Sequence, residues 1–169
     1  MQCSSLKNSG KAPDVINLRR AKERDKDFLF QLRNEDAVRA QSWHTERVDA
    51  PAHEAWFKSS LRNPKRVLYV VEADGAPAGQ VRFDVDDSGG SAEVSVAVAE
   101  RFRGRGIGSE ALRSAGQSFT KDFPDVKKIF AHIKTDNPAS VKTFLKAGYE
   151  DRGIVNYEGH TCVEMVAVR

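Results

Sequence analysis

Apolar positions recur along the chain with two spacings, and the switches between them predict its elements. Residues 15–18 read as a short strand. Helical spacing then runs from Asp25, a capping residue type, to about Val38, with Phe28, Leu29 and Leu32 inward. Residues 39–49 are polar apart from Trp43 and Val48 and read as a loop. Pro51 opens a second helix with Trp56, Phe57 and Leu61 on its apolar face, and Asn63-Pro64 stops it. The β-branched and aromatic run 67–73 predicts a strand, Asp74-Gly75 a hairpin turn, and residues 79–85 the returning strand. A second turn at 86–90 leads to a third strand over 92–98. After a loop rich in arginine and glycine, Ile107, Ala111, Leu112, Ala115 and Phe119 mark a helix that Phe123-Pro124 ends. Residues 128–133 are a further strand, and Asn137-Pro138 starts a helix that Gly148 closes. Residues 149–152 and 160–168 are the last strand candidates. Strand, two helices, antiparallel meander, helix, strand, helix and hairpin make a mixed α/β domain.

Composition narrows the class. A chain of 169 residues, 40% hydrophobic and 30% charged, suits one soluble domain with a sizeable core. The net charge of +3 is mild and its basic residues are dispersed, which argues against nucleic acid as a partner. No apolar run approaches the ~20 residues of a membrane span, so no membrane partner is expected. Cys3 lies in a polar leader and Cys162 in an apolar run, without metal-ligand spacing; no metal and a reduced, cytoplasmic setting are expected. The first residues lack the apolar core of a signal peptide, so residues 1–13 read as a flexible tail before a single domain at 14–169.

The stretch 94–112 carries the chemistry. An alternating strand passes through Arg101, Arg103 and Arg105, interleaved with Gly104, Gly106 and Gly108, into a helix. Glycines let the backbone approach a ligand, the helix start presents free N–H groups to an anion, and arginines add bidentate donors. A Walker loop would need a lysine before Ser109, and Gly108 stands there. The dinucleotide fingerprint G-x-G-x-x-A fits Gly106 to Ala111 nominally, but it belongs after the first strand of a doubly wound sheet, and here a meander precedes it.

Arg103, Gly106 and Gly108 also satisfy Arg-x-x-Gly-x-Gly, and the stretch Val96 to Leu112 resembles the acetyl-CoA-binding motif of the GCN5-related N-acetyltransferase (GNAT) superfamily. Asn137-Pro138-Ala139-Ser140 followed by Phe144 to Tyr149 resembles that superfamily's second signature, at the expected distance. The resemblance implies a mostly antiparallel twisted sheet of about six or seven strands with about four helices, and direct attack of an amine on acetyl-CoA, with no metal. It further implies that the strand before the loop splays from its neighbour, freeing backbone groups at Val96, Ala97 and Val98 for the pantetheine arm and thioester. Backbone N–H groups of Arg103, Gly104, Arg105, Gly106, Ile107, Gly108 and Ser109 would hold the pyrophosphate, and Asn137 and Ser140 would touch the coenzyme. The superfamily's usual tyrosine acid is replaced here by Phe144, so another group must protonate the thiolate.

For the general base, strand alternation puts Glu93, Ser95 and Ala97 on one face, next to the splay. Glu93 is the first candidate, Ser95 could orient a water, and His53 and His44 are rivals because histidine titrates near neutrality. Arg33-Asn34 and His53-x-x-Trp56-Phe57 resemble a branch containing nucleotide-aminosugar and ribosomal-protein N-acetyltransferases. Arg33, Asn34, Arg39, His53, Trp56 and Arg82 are then the expected acceptor contacts. The acceptor is a small-molecule amine, with a nucleotide-linked aminosugar ahead of a protein N-terminus. A non-catalytic acyl-CoA-binding module is the reading of another class, and monomer and homodimer both stay open.

Overall fold

The computed structural model describes residues 14–169; the expected tail at 1–13, with Cys3, lies outside them. One seven-stranded sheet runs in the order β1-β2-β3-β4-β5-β7-β6. Its strands are β1 (Ile16–Arg20), β2 (Arg66–Ala73), β3 (Ala76–Val85), β4 (Ser91–Val98), β5 (Lys128–Lys134), β6 (Glu150–Tyr157) and β7 (His160–Val168). Neighbouring pairs are antiparallel except β4 and β5. Five α-helices accompany it: α1 (Lys26–Asn34), α2 (Asp36–Gln41), α3 (Ala50–Arg62), α4 (Ile107–Asp122) and α5 (Pro138–Lys146).

The core lies mostly between α4 and the sheet. Phe119 of α4 stacks on Phe83 of β3, ring centres 4.2 Å apart and nearly parallel, and both are fully buried. Ala111, Leu112 and Ala115 continue the same buried stripe at helical spacing. Because strand residues alternate, Val67, Phe83 and Val94 face α4, whereas Arg66, Arg82, Asp84, Glu93 and Ser95 face the opposite side. There α1 and α3 rest on β3 and β2. No described helix is long and apolar enough to cross a membrane.

Two local expectations change. The single helix expected to about Val38 breaks at Glu35, whose ψ of 134° leaves the helical region. The Glu35 carboxylate accepts the Glu100 N–H at 3.0 Å, a link to the turn after β4. The chain then continues as α2 into what the polarity pattern reads as loop, which raises the helix count to five. Asp25 does not cap α1 with its side chain. It is buried instead, taking two bonds of 2.8 Å from the Arg19 guanidinium and one from the Lys22 N–H. A bidentate ion pair outcompetes a cap here because both oxygens are satisfied at once.

Arg19 holds the Asp25 carboxyl below its ordinary value against the opposing effect of burial. A depressed folded value means that the contribution is complete above the unfolded carboxylate range and lost as pH falls through the folded value. Asp25→Asn should therefore lower stability at neutral pH by about 3 kcal/mol, and flatten the acid limb of a plot of urea midpoint against pH.

Candidate active site

The site begins where β4 and β5 part. Their parallel pairing covers only Ser91, Ala92 and Glu93 against Lys128, Ile129 and Phe130, although both strands continue. Beyond Glu93, β4 follows β3 alone as far as Val98. Gly79 permits this close approach: a Cβ there would meet the Ala97 carbonyl oxygen at 2.5 Å. The resulting gap is the splay that the resemblance implies. The Ala99 N–H donates to the Ala78 carbonyl at 2.8 Å. Antiparallel alternation then turns the N–H and C=O of Ala97 toward β3, and those of Val96 and Val98 toward the gap. Of the three expected residues, Val96 and Val98 thus present backbone to the opening. The Val98 carbonyl accepts the Arg103 Nε–H at 2.9 Å.

The arginine/glycine loop follows directly. Gly104 and Gly106 have φ of 73° and 76°, the left-handed region, with nothing within 4 Å of where a Cβ would stand. Among the described residues, the N–H groups of residues 104–109 meet no protein acceptor. This row of donors at the start of α4, beside an open surface, fits a pyrophosphate. Gly108 serves another purpose, since a Cβ would come within 3.1 Å of Thr143 on α5. The Ile107 side chain is buried and the Ser109 hydroxyl donates to the Gly106 carbonyl, leaving their N–H groups to the loop. The Arg105 side chain is drawn away to Asp14 and Asp74. Asn137 caps α5 by accepting the Ser140 N–H at 3.1 Å. Phe144 points into the core, edge-on to Tyr149 at 5.0 Å, and not into the gap.

Around the last paired residue of β4 stands a polar cluster. The Tyr157 hydroxyl donates to Glu93 Oε2 at 2.5 Å. Glu93 Oε1 lies 3.3 Å from His132 Nδ1, too poorly aligned for a hydrogen bond as it stands. His132 Nε2 is 3.3 Å from Glu164 Oε2 in hydrogen-bonding geometry. The Tyr157 ring stacks on the imidazole, centres 3.7 Å apart. In the tautomer that carries its proton on Nε2, His132 donates to Glu164 and turns its Nδ1 lone pair toward a Glu93 carboxylate oxygen. A proton arriving between them would be held by both. Burial, then the bond to Glu93, pushes the Tyr157 hydroxyl well above its ordinary value, so it keeps its proton. Among the described residues no set of His, Cys, Asp and Glu is placed to hold a metal.

Of this cluster, the sequence pattern singles out Glu93 alone and not His132, Tyr157 or Glu164. One signal was available: in Ile129-Phe130-Ala131-His132-Ile133, the odd positions are apolar and His132 must face away from them. The other expected residues scatter. Ser95 is exposed opposite Arg82. His44 is exposed, and its carbonyl accepts from Arg33 Nη2 at 2.8 Å. Asn34 exchanges two bonds of 2.9 Å with the Val48 backbone, and Arg39 holds Thr45 and Asp36, so these side chains clamp the loop after α2. Trp56 lies under the Arg66 guanidinium. His53 is buried among Phe30, Trp56 and Phe57, its Nε2 without a partner, and does not join the Glu93 cluster.

Residues 16–150 match the model of the acetyltransferase (GNAT) domain. The chain belongs to the GNAT acetyltransferase family. It is 30% identical over 149 residues, 82% of its own length and 86% of the relative's, to the Bacillus subtilis (strain 168) protein named "Putative phosphinothricin acetyltransferase YwnH". Its fold is that of the aminoglycoside acetyltransferase AAC(6')-Ib solved with paromomycin and acetyl-CoA (TM-score 0.80, 22% identity, 92% and 94% of the two chains). It is equally that of the Vibrio cholerae spermidine N-acetyltransferase solved with CoA and spermine (TM-score 0.78, 19% identity, 90% and 95%).

Burial, and then Arg33 and Lys26, hold the His53 imidazole below its ordinary value. The folded chain thus resists a proton that the unfolded chain accepts, so stability falls as pH drops below the unfolded histidine value of about 6.5. His53→Phe should abolish this slope between pH 7 and 5, read as the change in thermal midpoint.

Proposed function

We propose that this protein acetylates the primary amine of a small acceptor with acetyl-CoA, using Glu93 and His132 as the joint proton acceptor. The carrying observation is the position of Glu93: it is the last residue of β4 that pairs with β5, so its carboxylate stands at the mouth of the splay. The gap-facing groups of Val96 and Val98 would line the pantetheine arm, and the N–H row at 104–109 the pyrophosphate. Acetyl-CoA supplies an activated acyl group; the chain's task is to hold an amine in line with it and remove its proton.

Glu93 and His132 Nδ1 share that proton. Glu164 fixes the imidazole, and Tyr157 holds Oε2 so that Oε1 stays directed at His132. The Tyr157 hydroxyl is the proton-bearing group of the cluster and takes the role that buried Phe144 cannot. Its proton passes to the departing thiolate, and Glu93, having gained one from the amine, restores it. The ammonium loses two protons on becoming an amide: one goes to bulk water as the free amine forms, and the other, taken by Glu93 from the attacking nitrogen, ends on the thiol, which closes the balance. Aminoglycosides and polyamines, the ligands of the structural relatives, support an amine acceptor. The likeness of Arg33-Asn34 and His53 to Phe57 to the aminosugar branch favours a nucleotide-linked aminosugar, acting in the cytoplasm.

Thiol release from acetyl-CoA, measured across a panel of amines, tests this reading. Glu93→Gln should reduce kcat about a hundredfold or more, with CoA affinity unchanged by calorimetry. Tyr157→Phe should lower kcat and leave the KM for acetyl-CoA nearly constant. Tight CoA binding without turnover of any amine would instead favour a non-catalytic acyl-CoA module. Independently, Gly106→Val should weaken CoA binding by roughly tenfold or more, because a β-branched residue resists φ of 76°.

A further inference from the structure

Beside the Glu93 cluster lies a group of guanidiniums with too few acceptors. Arg33 on α1 gives Nη2 to the His44 carbonyl, but its Nη1 is buried with no partner. Burial, then the nearby charges of Arg39 and Arg82, depress its pKa, and only Glu46 opposes them. Arg82 on β3 has its Nε 2.9 Å from Asp84 Oδ2, yet the N–H is misdirected and unsatisfied. Asp84 is already engaged by Arg66. One carboxylate therefore serves two guanidiniums, while Arg33 has no bonded carboxylate among the described residues.

A buried unsatisfied donor is costly, and more so when it is charged. Two such arginines in electrostatic reach of each other repel as well. Folding tolerates this where an anionic ligand later supplies the acceptors. Place then identifies the ligand. Arg82 is directly opposite Ser95, two residues from Glu93 on the same sheet face. Arg82 and Glu93 are diagonal cross-strand neighbours, about 7–8 Å apart at Cα. The same small molecule can span both.

Resting on the acetyltransferase reading, we propose that Arg82 and Arg33 form a subsite for a negatively charged group of the acceptor, a carboxylate or phosphate lying a few atoms from the amine. The acceptor is then an anionic or zwitterionic amine. Free polyamines, whose only charges are positive, are disfavoured, although a structural relative binds spermine. The two ends of the subsite are electrically matched to such a molecule, with guanidiniums at one end and Glu93, His132 and Glu164 at the other.

The test separates this inference from the reading it rests on. CoA is first added to saturation to fill the glycine loop, and its binding is recorded. Inorganic phosphate and acetate are then titrated, following the chemical shifts of the arginine side chains. Wild-type protein should bind at least one of the two, and Arg82→Gln should bind it roughly tenfold more weakly or worse. Arg113→Gln, an exposed control on α4, should match wild type. Arg33→Lys, which keeps the charge but loses the fork, should also weaken binding. Turnover is compared for 2-aminoethylphosphonate, β-alanine and ethanolamine, amines that share a two-carbon spacing. Preference for the first assigns a phosphate-type group, and preference for the second a carboxylate. Equal or better use of ethanolamine or spermidine, or anion binding unchanged in Arg82→Gln, overturns the subsite. Failure to bind CoA at all would overturn the acetyltransferase reading instead.

Discussion

Three residue pairs hold β4 to β5, and the rest of the site follows from their being no more than three. Pairing continued along β4 as far as Val98 would zip the strands together and consume the backbone groups of Val96 and Val98. β4 instead leans on β3, where Gly79 removes the one Cβ that would collide with the Ala97 carbonyl. β5 meanwhile is paired with β7 over its full length. Each half of the sheet is paired within itself, and the backbone groups of Val96 and Val98 are left facing the opening between them.

The same divergence shapes the chemistry of Glu93. Directly across from it on β3 stands Asp84, a like charge that would destabilise the pair if left alone. Arg66 bonds Asp84, with Arg82 beside it, and Tyr157 bonds Glu93, with His132 beside it. Two adjacent carboxylates thus have different partners, one bound to a guanidinium and one to a tyrosine hydroxyl beside an imidazole. His132 is nearly enclosed, its side chain 6% exposed, while Glu93 keeps 34% and is open to solvent.

Around α1 and α2, most polar contacts are structural. Arg33, Asn34 and Arg39 bind the carbonyls and N–H of residues 44–48, and Lys134 reaches the Ala40 carbonyl. Trp43 stacks on His160 at the β6–β7 hairpin, 4.7 Å between ring centres. These contacts fasten the segment after α2 without a hydrophobic core of its own.

The chain's local patterns determined the elements, their order and the donor loop. Period-two and helical spacings mark where side chains must be buried, and Gly104 and Gly106 mark backbone that must turn left-handed; both are properties of a short stretch. The same locality made Glu93 legible, since it adjoins the motif. Local pattern placed the start of α1 at Asp25 but not the ion pair to Arg19 that occupies its carboxylate, and it ran the helix through Glu35, whose side chain bonds the Glu100 N–H. It also could not reveal the partners of Glu93. His132, Tyr157 and Glu164 lie 39, 64 and 71 residues further along the chain and meet it only because β7 inserts between β5 and β6. Strand order and register are decided by the packing of the whole sheet, and no short segment contains them.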